Sequence, residues 1–286
     1  MTRERNSIPY WLSAPGALTV LALVAVPLVM TFTLSFYSQP PGGAIDSTLT
    51  LQNYGHIVGD DYYIEIFART FLMAALVTGV CLLIGVPEAY VLTRLTAGWR
   101  AISIVIVLGP LLVSVVVRTL GWAILLGRDG VINKALMAVG LLNQPVQLMY
   151  SYTGLVIALS HVLVPYMVLS VWASLQKLDF ATEQAAESLG ASSLTVLRRI
   201  VLPQVIPGVL SGCLIVFALA AGAFATPAII AGRRLKVVST TIYDEFLNYL
   251  NWPMGAALAA TLMVIVLAIS LLANRYIERR YKQVFS

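Results

Sequence analysis

Residues able to do chemistry are few and far apart. The sequence holds two histidines, His56 and His161, and two cysteines, Cys81 and Cys213, the cysteines both inside apolar runs. Neither HExxH, whose paired histidines would hold zinc, nor GxSxG, which would present a nucleophilic serine, occurs. The cysteines form no CxxC pair and no disulfide framework, so they read as small core hydrophobes. A phosphate-binding loop needs Gly-Lys-Ser/Thr, so that backbone amides and the lysine surround the phosphates. Lys134, Lys177, Lys236 and Lys282 follow Asn133, Gln176, Leu235 and Tyr281, and no Gly-Lys pair exists. The chain is expected to carry no catalytic set, no metal centre and no nucleotide site. If ATP drives it, a separate subunit must bind the ATP.

The elements that position these residues follow from composition. Of 286 residues, 59% are hydrophobic and 11% charged, with a mean hydropathy of +0.87. A soluble domain carries charge on about 25% of its residues. A globule of this size cannot bury so much apolar surface, so the excess must face lipid, which excludes a soluble enzyme, a nucleic-acid-binding domain and a disordered chain. A membrane-crossing helix needs about 20 apolar residues. Six segments meet this at about 14–37, 67–93, 101–126, 152–175, 207–230 and 255–274. The first is too long for a secretory leader, and residues 36–40 at its exit show no small-x-small cleavage pattern. The predicted fold class is an all-α membrane protein, one six-helix membrane domain over residues 1–286.

Orientation follows from the basic residues. With the N-terminus inside, Arg3, Arg5, Arg94, Arg100, Lys177, Arg198, Arg199, Arg275, Arg279, Arg280 and Lys282 are cytoplasmic, whereas Arg128, Lys134, Arg233, Arg234 and Lys236 lie opposite. This asymmetry places both termini in the cytoplasm. Prolines at 27, 87, 110, 165 and 227 fall inside spans and are expected to kink them.

Residues 176–206 form the longest cytoplasmic connection. Good helix formers fill 180–189, and Gly190 is placed to end that helix in a left-handed cap. Ser192 or Ser193 can cap a second helix, which Pro203 is expected to cut short. The stretch therefore predicts a helix, a sharp turn and a second helix against the membrane surface. Small residues at Ala185 and Ala186 allow a partner to approach closely.

The spacing carries more. Gln184-Ala185-Ala186, then Gly190, Ile200, Leu202 and Pro203 match without a gap the EAA loop of the membrane subunits of bacterial ATP-binding-cassette importers. One position departs: the motif's glutamate is Gln184, with Glu183 directly before it. The chain resembles the spermidine/putrescine-type permease group over nearly its whole length. The carrying stretches are Val117–Trp122, Leu126–Asn133, Gly222-Ala223-Phe224-Ala225-Thr226-Pro227, Ile242–Glu245 and Asn251–Ala257. The resemblance implies a type I importer permease fold in a bacterial inner membrane. It implies a second homologous permease, two ATP-binding subunits that hold ATP and Mg, and a periplasmic binding protein as partners, with no nucleic acid. Glu183, Gln184, Ala185, Ala186, Gly190, Ile200, Leu202 and Pro203 would then couple the chain to the ATPase. The solute it implies is a polyamine, with an opine, an amino-acid derivative or another small organic solute as alternative. A stand-alone secondary transporter is the competing class.

Intramembrane polar residues are the default candidates for the path, because a mid-bilayer charge costs about 2.5–3.5 kcal/mol. Glu88, Arg118 and His161 stand out. Counting residues from the cytoplasmic ends of spans two and three separates Glu88 and Arg118 by roughly 18 Å in depth, which excludes a direct pair. Glu88 is read as snorkelling to the cytoplasmic rim. Arg118 is either an anchor, meeting a carbonyl or an outer-loop carboxylate, or part of an outer gate. A direct ligand role for Arg118 would argue for a carboxylate-bearing solute, since a polyamine is itself a cation. His161, one turn before Pro165, is expected to make a helix-packing hydrogen bond. Trp122 and Tyr166 are either interface anchors or faces on which a cation stacks. Phe224 completes the pathway candidates. In the outer loops, Asp60, Asp61, Asp129, Arg233 and Arg234 are candidates for docking the binding protein, against a plain solvated surface, and residues 131–142 read as a short helix lying in the membrane plane.

Overall fold

The computed structural model describes residues 8–40, 43–178 and 180–280. Among these, every named element is helical: α1 (Ile8–Ser35), α2 (Gln52–Gly59), α3 (Asp61–Arg94), α4 (Ala97–Leu112), α5 (Val115–Leu126), α6 (Val131–Ala138), α7 (Tyr152–Leu175), α8 (Phe180–Ser188), α9 (Ser193–Val196), α10 (Leu202–Ala221), α11 (Val238–Tyr243) and α12 (Trp252–Arg280). Wider π-turns cover Leu197–Val201, Pro227–Ala231 and Asp244–Asn248. Five helices are long and apolar enough to cross a membrane, and a sixth crossing is obtained when the bent pair α4–α5 is taken as one span.

Chain contacts define two compact units, Met1–Ile64 with Thr241–Met263, and Glu65–Thr240 with Val264–Ser286. In the first, the end of α1 is tied to α2. Asn53 donates to the carbonyls of Ser35 and Tyr37 at 3.1 and 2.8 Å, and the Ser35 and Tyr54 hydroxyls are 2.7 Å apart. Nothing in this unit covers the apolar length of α1, where Leu18, Leu21 and Leu23 are 65, 63 and 70% exposed. Lipid or another protein must cover such a face.

The second unit is built on α7 against α10. Gly208 and Gly212, one turn apart on α10, let the two helices approach. A Cβ at Gly208 would stand 2.6 Å from Ser174 Cβ, and one at Gly212 would stand 2.7 Å from Met167 Sδ. The Ser170 hydroxyl donates to the Gly208 carbonyl at 2.9 Å across the same contact. Gly85 of α3 faces Met167 in the same way. The core gathers here around Met73, Val77, Leu159, Met167, Val168, Val171 and Val216.

Three sequence expectations change. The third span is not one rod over 101–126: the axes of Ala97–Leu112 and Val115–Ala138 meet at 96°. Val113 and Ser114 are extended there, with ψ of 139° and 132°. Pro110 is three residues upstream and removes an amide from the last turn of α4, which weakens the helix where it breaks. The fifth span is not 207–230: it runs from Ser193 to Ala221 and absorbs the second helix of the loop. Pro203 does not stop it, because Pro203 occupies the first turn of α10, where a missing amide is tolerated, and the π-turn Leu197–Val201 adjusts the register before it. Residues 131–142 form a helix only as far as Ala138, ahead of Gly140 at φ +73°.

Candidate functional site

The hairpin α8–turn–α9 is set by a few local bonds. The Gly190 amide donates to the Glu187 carbonyl at 2.9 Å and the Ala191 amide to the Ala186 carbonyl at 3.1 Å. With Gly190 at φ +84°, this is a Schellman cap, which requires a left-handed residue after the helix. Ser192 then opens α9, its hydroxyl accepting from the Thr195 amide at 3.4 Å. Gln184 and Ala185 are exposed, Leu189 is 89% exposed and Leu194 is 56% exposed, so the hairpin presents small and apolar groups outward. Ala186 and Ile200 are half-buried, while Leu202 and Pro203 are exposed at the start of α10.

Glu183 faces the other way. Its side chain is 7% exposed and its carboxylate accepts from the Arg94 guanidinium at the end of α3. Arg94 also donates to the Tyr90 hydroxyl at 3.0 Å and lies 5.0 Å over the Tyr90 ring. Glu183 is thus used within the chain, binding α8 to α3. The sequence reading had counted Arg94 only among the positive charges.

Four of the five pathway candidates come together in the second unit. Trp122 Nε1 on α5 donates to His161 Nδ1 on α7 at 3.1 Å, with the rings edge to face at 5.4 Å. Arg118, one turn before Trp122, is close enough to His161 and Tyr166 for its charge to act on both. Its Nε and Nη1 are buried without a hydrogen-bond partner among the described residues. Phe224 stands apart, in the segment after α10, and does not line the cavity beside Trp122. That cavity, of about 440 Å³, is walled by α3, α4, α5 and α7 and includes Glu88, Trp122, Ser160 and His161. Glu88 is half-exposed on the wall of this cavity. A signal was present: Val80, Ile84 and Glu88 recur every four residues, which puts them on one helix face.

The docking candidates divide between the units. In the first, Asp60 follows α2 and its carboxylate accepts from the Tyr62 amide at 2.9 Å. Asp60 lines a cavity of about 670 Å³ with His56 and Tyr63, while Asp61 opens α3. In the second, Asp129 and Arg233 are exposed, and Arg234 lies 5.9 Å over the Tyr150 ring beside a cavity of about 630 Å³ that it shares with Arg128. Among the described residues, none of the five is in an ion pair. Sequence reasoning missed Asn133, fully buried, whose side-chain amide donates to the carbonyls of Gly127, Arg128 and Val146 and accepts from the Val146 amide, so that it closes the loop around α6.

Residues 72–283 match the model of the family described as binding-protein-dependent transport system inner membrane component. The spermidine/putrescine transport system permease protein PotB of Escherichia coli (strain K12) is 31% identical over 247 residues, covering 86% of this chain and 90% of that protein. The inner membrane ABC transporter permease protein YdcU of the same organism is 31% identical over 236 residues, covering 78% of this chain and 74% of its own. Among solved structures, a chain of a bacterial ABC transporter involved in import of the acidic polysaccharide alginate superposes with a TM-score of 0.77 at 20% identity, covering 96% of each chain. The chain belongs to the family of inner membrane components of binding-protein-dependent transport systems. It is a multi-pass inner membrane permease subunit of an ABC importer, with the type I importer permease fold.

Proposed function

We propose that this permease works with a second, homologous permease, two ATP-binding subunits that hold ATP and Mg, and a periplasmic binding protein, and that its solute is a polyamine. Both termini and the α8–α9 hairpin face the cytoplasm, and ATP is hydrolysed by the partner subunits. The single observation that carries this reading is the hairpin. A Schellman-capped helix presents Gln184, Ala185 and Leu189 outward on a chain that lacks a Gly-Lys pair. A rigid projection of this kind lets a nucleotide-driven partner move packed helices as bodies. Support for the solute comes from the relatives named for spermidine and putrescine transport.

A test of the coupling role replaces Gly190. Gly190→Val forces a β-branched residue into φ +84°, a strain of about 1–2 kcal/mol. Uptake by the reconstituted transporter is expected to stop and ATP hydrolysis to run uncoupled while the chain still inserts. Normal uptake by that variant would end the coupling assignment.

One observation favours a second reading, a solute carrying a carboxylate as well as an amine: Nε and Nη1 of Arg118 are buried without partners among the described residues. Competition of spermidine uptake by amino-acid derivatives separates the two readings.

A further inference from the structure

We propose that the cavity walled by α3, α4, α5 and α7 binds a protonated amine of the transported solute, seated between the Glu88 carboxylate, the Ser160 hydroxyl and the face of Trp122. The inference rests on the amine-bearing solute common to both readings above.

Three independent features favour a cationic occupant. Glu88 makes no hydrogen bond or ion pair among the described residues, although it is only half-exposed on the cavity wall. Ser160 also lines the cavity, is 3% exposed, and its Oγ has no partner among the described residues. A buried hydroxyl without a partner costs about 1–3 kcal/mol, which a bound donor would remove. The third feature comes from the prolines. Pro110 and Pro165 both line the cavity, and each lacks the amide that would bond the carbonyl four residues earlier. Those carbonyls belong to Ile106 and His161, which line the same cavity. The wall is mostly apolar, and its polar side chains are the Glu88 carboxylate, the Ser160 hydroxyl, the His161 imidazole and the Trp122 indole, with no lysine or arginine.

An ammonium can use the carboxylate, the hydroxyl and the indole. It donates three hydrogen bonds, pairs with a carboxylate and is attracted to an indole face. Val80, Ile84, Ile157 and Val164 supply apolar surface for the methylene chain of an alkylamine. Its volume, about 440 Å³, falls within the 300–1,000 Å³ usual for small-molecule sites. Trp122 is held edge-on to His161 by its indole N–H, so its orientation is fixed before any ligand arrives. Arg118 does not line the cavity, and Glu88 is the one acidic side chain on its wall. An amine would therefore enter with its charge toward Glu88.

The test uses the full transporter reconstituted in proteoliposomes, with Cys81→Ala and Cys213→Ala as background and Ser160→Cys as reporter. A cationic methanethiosulfonate, 2-aminoethyl methanethiosulfonate, is expected to label this cysteine at least ten-fold faster than the neutral methyl reagent. Spermidine should slow the labelling, and adding Glu88→Gln should abolish the preference. In parallel, Glu88→Gln in the otherwise native chain should lower spermidine uptake at saturating binding protein at least ten-fold, and Glu88→Asp should recover most of it. Equal labelling by both reagents, or wild-type uptake by Glu88→Gln, overturns the site while the polyamine reading stands. A native transporter that accumulates neither polyamines nor amino-acid derivatives overturns both.

Discussion

Arg94 and Glu183 are 89 residues apart in sequence, yet their side chains meet and join α3 to the α8–α9 hairpin. Glu183 is almost buried, so removing its partner leaves a carboxylate acceptor with less compensation, a cost of about 1–3 kcal/mol. Arg94→Ala is therefore expected to lower the melting temperature of the solubilised complex and to reduce solute moved per ATP hydrolysed. Exchanging the charges, Arg94→Glu with Glu183→Arg, should recover part of both. If the single variant melts and transports like the native protein, the pair does not brace the hairpin. Gln184 is a different case, since its side chain points outward. Gln184→Glu should leave the stability within about 0.5 kcal/mol of native, as surface changes do, and any effect should appear in ATPase co-purification alone. Gly190 was legible in the sequence because its cap requires a backbone conformation that glycine adopts at little cost. The inward turn of Glu183 was not, because its partner comes from another helix. The depth of Arg118 was not legible either, because a count along its span assumes a straight helix and that span bends between Leu112 and Val115.

At the scale of elements, apolar runs of about 20 residues located most of the long helices, and α7 at Tyr152–Leu175 coincides with its expected span. What it could not locate were changes of helical geometry. A π-turn at Leu197–Val201 and a break at Val113–Ser114 contain neither glycine nor proline, and the prolines beside them act in a way that depends on the neighbouring turns. Helix contacts are better determined by small residues. Gly208 leaves no room for a side chain against Ser174, so Gly208→Ala is expected to destabilise α7–α10 by about 1–3 kcal/mol. Ser174→Gly in the same chain should return part of that loss, which thermal melts of the four proteins of the cycle would reveal. Strict additivity would mean that the two residues do not meet.

At the scale of the whole molecule, α1 exposes an apolar face among the described residues and the sequence carries no Gly-Lys pair, both in keeping with the assembly proposed above. Expressed with its partner permease and binding protein but without an ATPase, it is expected to give no uptake above background. Robust accumulation under those conditions would favour a self-sufficient carrier. The break between α4 and α5 has a consequence of its own. Helices are stable in lipid because each peptide group is bonded within its own segment, and irregular backbone at that depth survives only beside protein or water. Two extended residues at Val113 and Ser114, with no side-chain cap on the following turn, are such a place. The break would then mark a point where the permeability barrier is thinnest, wetted from one side in at least one stage of the cycle. A cysteine at Ser114, in a chain otherwise free of thiols, should react with membrane-impermeant maleimides, and its rate should change when the ATPase is trapped with nucleotide.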